Sequence, residues 1–305
     1  MAATAHGTDL AEILEEVRRI EILGRRQVTD ALAGGYHSVF RGSGVEFDDV
    51  REYAEGDDVR SVDWNVTARV GRPFVRRYVD ERERRVIFLV DVSASMGGGF
   101  GPWSARGTAA RVCACLALSA ARNDDRTGLL AFASGIESWI PPRRGPGHVL
   151  RILRDCLALP SPPGPTDMVP ALEFTLRGVP RHAVIFVLSD FLADGWGPTL
   201  ARCARRHDAV AVRLLLPERE LPAAGLLRLR DPESGREEIV DSGDPATRAA
   251  LAERVLRRRE RTEDDLRRGR VDLLDIPVPR ARERDVVSGP LLRFFRMREA
   301  RGAKR

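Results

Sequence analysis

Asp91, Ser93 and Ser95 stand at alternate positions directly after the apolar run Val86-Ile-Phe-Leu-Val90. Three oxygen-bearing side chains released at the end of a strand can converge on one hard cation. A hydroxyl ligand is neutral, so the set suits a small oxygen-loving ion such as Mg²⁺ or Mn²⁺ rather than zinc. Two further stretches add to it. Gly164-Pro-Thr-Asp167 opens a later helical segment and offers Thr166, and Val184-Ile-Phe-Val-Leu-Ser-Asp190 is a second apolar run ending in an acid. Two Asp, two Ser and one Thr make an octahedral set with water and one open position. A blander reading competes with this one: Asp and Ser are common at strand-to-helix turns because they cap helix N-termini.

The elements that must position these residues follow from the pattern. Val86–Asp91 is too short to span a membrane and reads as a buried parallel strand. Ligands bind at the carboxyl ends of such strands in open α/β sheets. Glycines at 97, 98, 99 and 101 follow, and a helix is expected around 103–123. Further strands are expected at 127–133, 136–140, 183–188, 209–216 and 271–276. Helices are expected at 148–159, 167–178, 198–206, 245–268 and 290–299. Residues 226–229 and 238–240 read as a β pair with 231–235 as its turn. This alternation argues for α/β, a doubly wound and largely parallel sheet. Ahead of it, Leu10, Ile13, Leu14, Val17, Ile20 and Leu23 recur at helical spacing, which predicts an amphipathic helix over 8–34. Residues 35–84 are dense in charge and read as a small irregular or β region anchored by its aromatics, with 74–79 a strand feeding towards the core.

Composition narrows the function classes. The 305 residues carry 50 basic and 45 acidic side chains, a net charge of +5. That is a mixed-charge surface with a mild excess. All the basic residues but Lys304 are Arg, a chain-wide bias that discounts any single Arg cluster as a phosphate reader. Cys113, Cys115, Cys156 and Cys203 form no C-x-x-C pair and read as reduced, buried thiols. The N-terminus shows no basic segment followed by an apolar core, and no run approaches the roughly 18 apolar residues of a membrane span. The expectation is a soluble, cytoplasmic protein with no nucleic-acid partner and no membrane span.

Asp91-x-Ser93-x-Ser95, with Thr166 and Asp190, resembles the metal-ion-dependent adhesion site of von Willebrand factor A domains. A longer stretch resembles something narrower. Gly42-Ser-Gly-Val-Glu-Phe-Asp-Asp-Val-Arg-Glu-Tyr-Ala-Glu-Gly-Asp-Asp-Val-Arg60, then Val62-Asp-Trp64 and Ala68-Arg69, is similar to the signature of the bacterial domain-of-unknown-function family 58. Its members carry an A-like domain and are typically encoded beside MoxR-type AAA+ ATPases. The resemblance covers about Ile22 to Arg298. Together with the N-terminal helix region read over 1–34 and a C-terminal helix with a basic tail over 281–305, it implies a signature region over 35–84 and a von Willebrand factor A-like domain over 85–280. It implies that Ser93, Ser95 and Thr166 ligate Mg²⁺ (or Mn²⁺) directly, and that Asp91 and Asp190 do so directly or through water. A partner Glu or Asp then completes the shell. The implied function is non-catalytic: an adaptor that works with a MoxR-type AAA+ ATPase on a client protein.

Two rivals are weaker. A strand ending in Asp-x-Asp would suit a phosphatase, but the second position here is Ser93, so the general acid is missing. The five histidines lie outside the three ligand stretches. Phe294-Phe295 among arginines is the pattern of a base-stacking surface, although docking of a terminal helix explains it as well.

Overall fold

The structure, a computed structural model, describes residues 30–40, 45–54, 57–58, 62–80, 84–99, 101–216, 222–281 and 286–302, with 15, 18 and 19 near the N-terminus. Most of the helix expected over 8–34 lies outside these residues, as do Gly42–Gly44 of the signature and Lys304 of the tail. The chain forms two compact units, one from residues 1–39 and 85–305, the other from Phe40–Arg84.

In the larger unit, α1 spans Asp30–Val39. The smaller unit then interrupts it. There β1 (Val45–Glu52) and β2 (Phe74–Asp80) form an antiparallel pair, with α2 (Trp64–Val70) between them. So 74–79 is a strand, as expected, but it pairs with β1 rather than feeding the main sheet. Helix α2 was not expected. Asp63 caps its first turn by accepting from the Asn65 and Val66 N–H groups, and Gly71, at φ 76°, ends it in a left-handed turn. Val62 and Val75 are buried, whereas Trp64, expected among the anchoring aromatics, is 68% exposed.

The larger unit resumes with β3 (Arg85–Asp91) and a 3₁₀ turn at Ala94–Gly97. Then come α3 (Ala105–Arg122), β4 (Arg126–Phe132), β5 (Ile136–Arg143), α4 (Pro146–Ala158) and α5 (Val169–Gly178). Next are β6 (Val184–Ser189), α6 (Gly197–Ala204), β7 (Asp208–Leu215) and the hairpin β8 (Leu226–Arg230) with β9 (Glu237–Asp241). The chain closes with α7 (Pro245–Gly269), β10 (Asp272–Pro277) and α8 (Ser288–Gly302).

Six strands form one sheet in the order β10-β7-β6-β3-β4-β5. All its pairings are parallel except β4 with β5. This is the doubly wound α/β arrangement the alternation predicted. Strand β5 runs through Pro141 and Pro142, further than expected. It can do so because it is an edge strand, where a missing N–H breaks no central ladder.

The central strands are buried on both faces, which explains their unbroken apolar runs. Ile87, Leu89, Ile185 and Val187 pack with Leu172 of α5, Leu200 of α6 and Leu266 of α7. Alternate residues point the other way, where Phe88 stacks on Phe186 with ring centroids 5.8 Å apart. Helix α3 packs on β3, β4 and β7. Fifteen of its 18 residues are buried, most of them Ala, Gly, Ser, Thr or Cys, and small side chains permit close approach. Phe294 and Phe295 are buried too. Phe295 meets Tyr36 of α1 edge-on at 6.2 Å, so these rings are packing groups.

Candidate functional site

The sheet's order reverses at β3. The chain goes from β3 to β4 and β5 on one side, then returns to β6 on the other. The carboxyl ends of β3 and β6 therefore flank the switch point, where open α/β sheets bind ligands. Asp91 is the last residue of β3, and Asp190 directly follows β6.

Asp91 is fully buried, and Asp190 is 4% exposed. One Asp91 oxygen accepts the Ser93 N–H at 2.9 Å, and the other accepts the Ser189 hydroxyl at 2.6 Å. Burial, reinforced by the neighbouring Asp190 carboxylate, pushes Asp91 up to about 6, and the serine hydrogen bonds only partly offset this. The Ser93 and Ser95 hydroxyls lie 3.1 Å apart. Asp190 accepts the Leu192 N–H at 3.0 Å, which fixes its turn, and Phe191 within that turn has φ 55°.

Thr166 reaches the same end of the sheet through its neighbour, because the Asp167 N–H donates to the Ala133 carbonyl just past β4 at 2.7 Å. Its own N–H and hydroxyl both donate to Glu233, at 3.1 and 2.6 Å. Asp91, Ser93, Ser95 and Asp190 thus form one cluster. Thr166 stands at the same edge, held by a carboxylate from the β8–β9 turn.

The capping explanation fails at these positions. Helix α3 is capped by Ser104, whose hydroxyl accepts the Gly107 N–H at 3.1 Å. Ser93 precedes the 3₁₀ turn, but its side chain makes no capping bond. The first turn of α5 uses Asp167, not Thr166. The hydroxyls are therefore spent on one another or on a carboxylate. A further constraint holds the loop after β3 in place: a Cβ on Gly101 would stand 1.7 Å from the Pro279 carbonyl oxygen, just past β10.

The donor set fits a small divalent cation. Two buried carboxylates repel each other across a site lined by neutral hydroxyls, and a carboxylate has room for about four hydrogen-bonding or ligand contacts. The nearby cation Arg106 feels the Asp91 charge but makes its hydrogen bonds to other groups. It donates to the Cys156 carbonyl at 2.6 Å, to the Ser161 hydroxyl at 3.2 Å and to the Leu159 carbonyl.

Two residues of the site were not found in the sequence. Ser189 orients Asp91, and its only signal was a hydroxyl placed directly before an acid at a strand end. Glu233 carried no local signal, since it meets Thr166 from 67 residues away. The four cysteines are buried thiols that form no disulfide, as expected. Burial pushes Cys115 and Cys203 up to about 12, so these are inert thiols.

The model of the family described as "Protein of unknown function DUF58" matches residues 49–261. The chain belongs to this family. Uncharacterized proteins of Mycobacterium bovis and Mycobacterium tuberculosis are each 31% identical over 255 residues, covering 81% of this chain and 80% of theirs. Solved structures similar to it include an aerotolerance-related membrane protein from Bacteroides fragilis. That match is 15% identical, covers 72% of this chain and 99% of that one, and has a TM-score of 0.41. The SpRpn10 VWA domain is 13% identical, covers 68% of this chain and 93% of that one, and has a TM-score of 0.37.

The cytoplasmic expectation is corrected at this point. Similar solved structures are described as an aerotolerance-related membrane protein and a membrane spanning protein, and no compartment is assigned to this chain. No helix among the described residues is long and apolar enough to cross a membrane.

Proposed function

We propose that this family member is a metal-dependent protein-binding module rather than an enzyme, and that it works with a MoxR-type AAA+ ATPase on a client protein. The observation that carries the reading is the pair of buried, mutually repelling carboxylates, Asp91 and Asp190, at the sheet's switch point, beside hydroxyls that cap no helix. Ser93, Ser95 and Thr166 would hold Mg²⁺ or Mn²⁺ directly, with Asp91 and Asp190 ligating it directly or through water. Bound there, the cation would supply positive charge and an open coordination position for a partner's Glu or Asp. The chain's own part is to fix the donors. Ser189 and the Ser93 N–H orient Asp91, and the turn at Phe191 orients Asp190.

Thermal unfolding of the full chain tests the metal site. Millimolar Mg²⁺ or Mn²⁺ raises the melting temperature of the wild type by mass action and leaves Asp91→Ala unmoved. Capture of a MoxR-type ATPase in Mg²⁺ but not in chelator then tests the partner. Equal capture by Thr166→Ala and wild type in Mg²⁺ would remove the adhesion reading.

A further inference from the structure

We propose that the groove between helix α7 and the loop after β6 binds an acidic segment of a partner protein, laid out along a row of arginines. The groove shares Asp190 with the candidate site, but its chemistry requires no cation there.

The groove is a cavity of about 590 Å³ at the carboxyl ends of β6 and β7. One wall is the loop 190–196 and the other is α7. The loop is firmly built. Phe191 and Trp196 are buried and meet edge-on at 5.2 Å, and the Trp196 indole donates to the Ala193 carbonyl at 2.9 Å. Arg258 ties the two walls together, donating to the Leu192 carbonyl and, at 3.0 Å, to Asp194. A wall fixed before binding spares the ligand the cost of ordering it.

The charge in this cavity is unbalanced. Arg254, Arg258 and Arg261 stand at i, i+4 and i+7 of α7, so they share one face along about 10 Å of helix. Arg254 and Arg261 are exposed and make no hydrogen bond or ion pair among the described residues. Arg259 also lines the cavity, and its Nε is buried without a hydrogen-bond partner among the described residues. Three acids line the cavity too. Asp194 pairs with Arg258, and Asp265 lies 3.5 Å from Arg268. That sets Asp190 against Arg254, Arg259 and Arg261, an excess of positive charge. The chain-wide preference for Arg explains why these cations are not Lys. It does not explain why unpaired ones gather on the cavity side of one helix.

Their spacing points to the ligand. A lone phosphate needs cations that converge on a point, whereas these follow a line. In an extended peptide, side chains on one face recur every second residue, about 7 Å apart. Alternate acids therefore reach successive arginines, whose planar forks pair with carboxylates. The half-buried Leu251 and Val255 lie on the same wall and suit an apolar residue between the acids. A nucleic-acid strand fits less well, because its unbroken negative charge meets Asp190, Asp194 and Asp265.

The test uses a fluorescein-labelled peptide, Gly-Ser-Glu-Ala-Glu-Leu-Glu-Ala-Glu-Gly. Its anisotropy is read against the full chain, in chelator and at physiological ionic strength, where charges more than about 8 Å apart are screened. Wild type should bind it, and the same peptide with Gln for every Glu should not bind. Arg254→Glu with Arg261→Glu should weaken binding by about tenfold or more, with the melting temperature unchanged because both side chains are exposed. Arg177→Glu with Arg181→Glu alters net charge equally at exposed positions outside the cavity and should bind nearly as well as wild type. No binding by wild type, or equal affinity in wild type and the cavity variant, would overturn the proposal. So would equal losses in the two variants, which would mark general charge attraction. An oligothymidylate of the same charge that binds as tightly and displaces the peptide would make this a nucleic-acid site, and would overturn it too.

Discussion

Replacing Asp91 by Asn is expected to make the metal-free protein more stable at pH 8. The folded state raises Asp91 from 3.8 to about 6, chiefly through burial and then through Asp190. A raised acid binds its proton more tightly when folded. Its contribution to stability is thus fully present below about 3.8 and is lost as pH rises through about 6. Each unit is worth 1.36 kcal/mol, so holding Asp91 ionised at pH 8 costs on the order of 3 kcal/mol. Asn carries no charge at any pH and relieves that cost. It gives up part of the bonding to the Ser93 N–H and the Ser189 hydroxyl, at about 1 kcal/mol. The net gain is about 1–2 kcal/mol, or on the order of 2–8 °C for a unit of this size. Urea unfolding followed by circular dichroism, in chelator at pH 8 and at pH 4, measures it. The gap should close at the lower pH, where Asp91 is protonated. With millimolar Mg²⁺ at pH 8 the wild type should recover, and the variant should not. A variant less stable than wild type in chelator at pH 8 would show that Asp91's charge is already compensated by the protein, and the main argument for a cation would be lost.

Other expectations concern the scaffold. His207 is buried with neither ring nitrogen hydrogen-bonded, and burial pushes it down to about 4, with Arg206 and His182 adding to the effect. A lowered histidine gives stability that is present above about 6.5 and lost as pH falls through 4. His207→Leu should therefore flatten the acid limb of a stability–pH curve by up to ~3 kcal/mol. Arg213, almost fully buried, makes two bonds to Asp275 at 2.7 and 2.8 Å and one to Glu263 at 2.8 Å. Both acids are about 40% exposed and can rehydrate, so Arg213→Met should cost ~2 kcal/mol in urea unfolding, less than a fully buried pair would. Gly101→Ala must move either its loop or Pro279 and should lower the melting temperature by several degrees, by ~2 kcal/mol or more.

Reading the sequence reached furthest where burial and chemistry coincide in one short run. Val86–Val90 and Val184–Leu188 announce buried strands because both faces must be apolar, and the first polar residues past them are at the site by construction. Asp91, Ser93, Ser95 and Asp190 were legible for that reason. Helix α2 was missed because its short segment, with Val66, Thr67 and Val70 β-branched and Asn65 beside them, has poor intrinsic propensity, although Asp63 and Gly71 marked both ends. Glu233 was missed for a deeper reason. Nothing local distinguishes it from the other acids of an exposed turn, and its meaning comes only from Thr166, brought beside it by the fold.

The packing of α1 against α8 carries a consequence for synthesis. Tyr36 meets a ring made about 260 residues later, and its hydroxyl donates to Asp125 at 2.9 Å. At roughly 5–20 residues per second, a ribosome delivers Phe295 on the order of tens of seconds after Tyr36. Over that interval α1 has no Phe295 to close on, while the whole of Phe40–Arg84 is already outside and can form its own hairpin. Helix α8 is thus what secures α1, and a nascent chain stalled before Pro290 would lack the Phe295 ring that Tyr36 of α1 packs against.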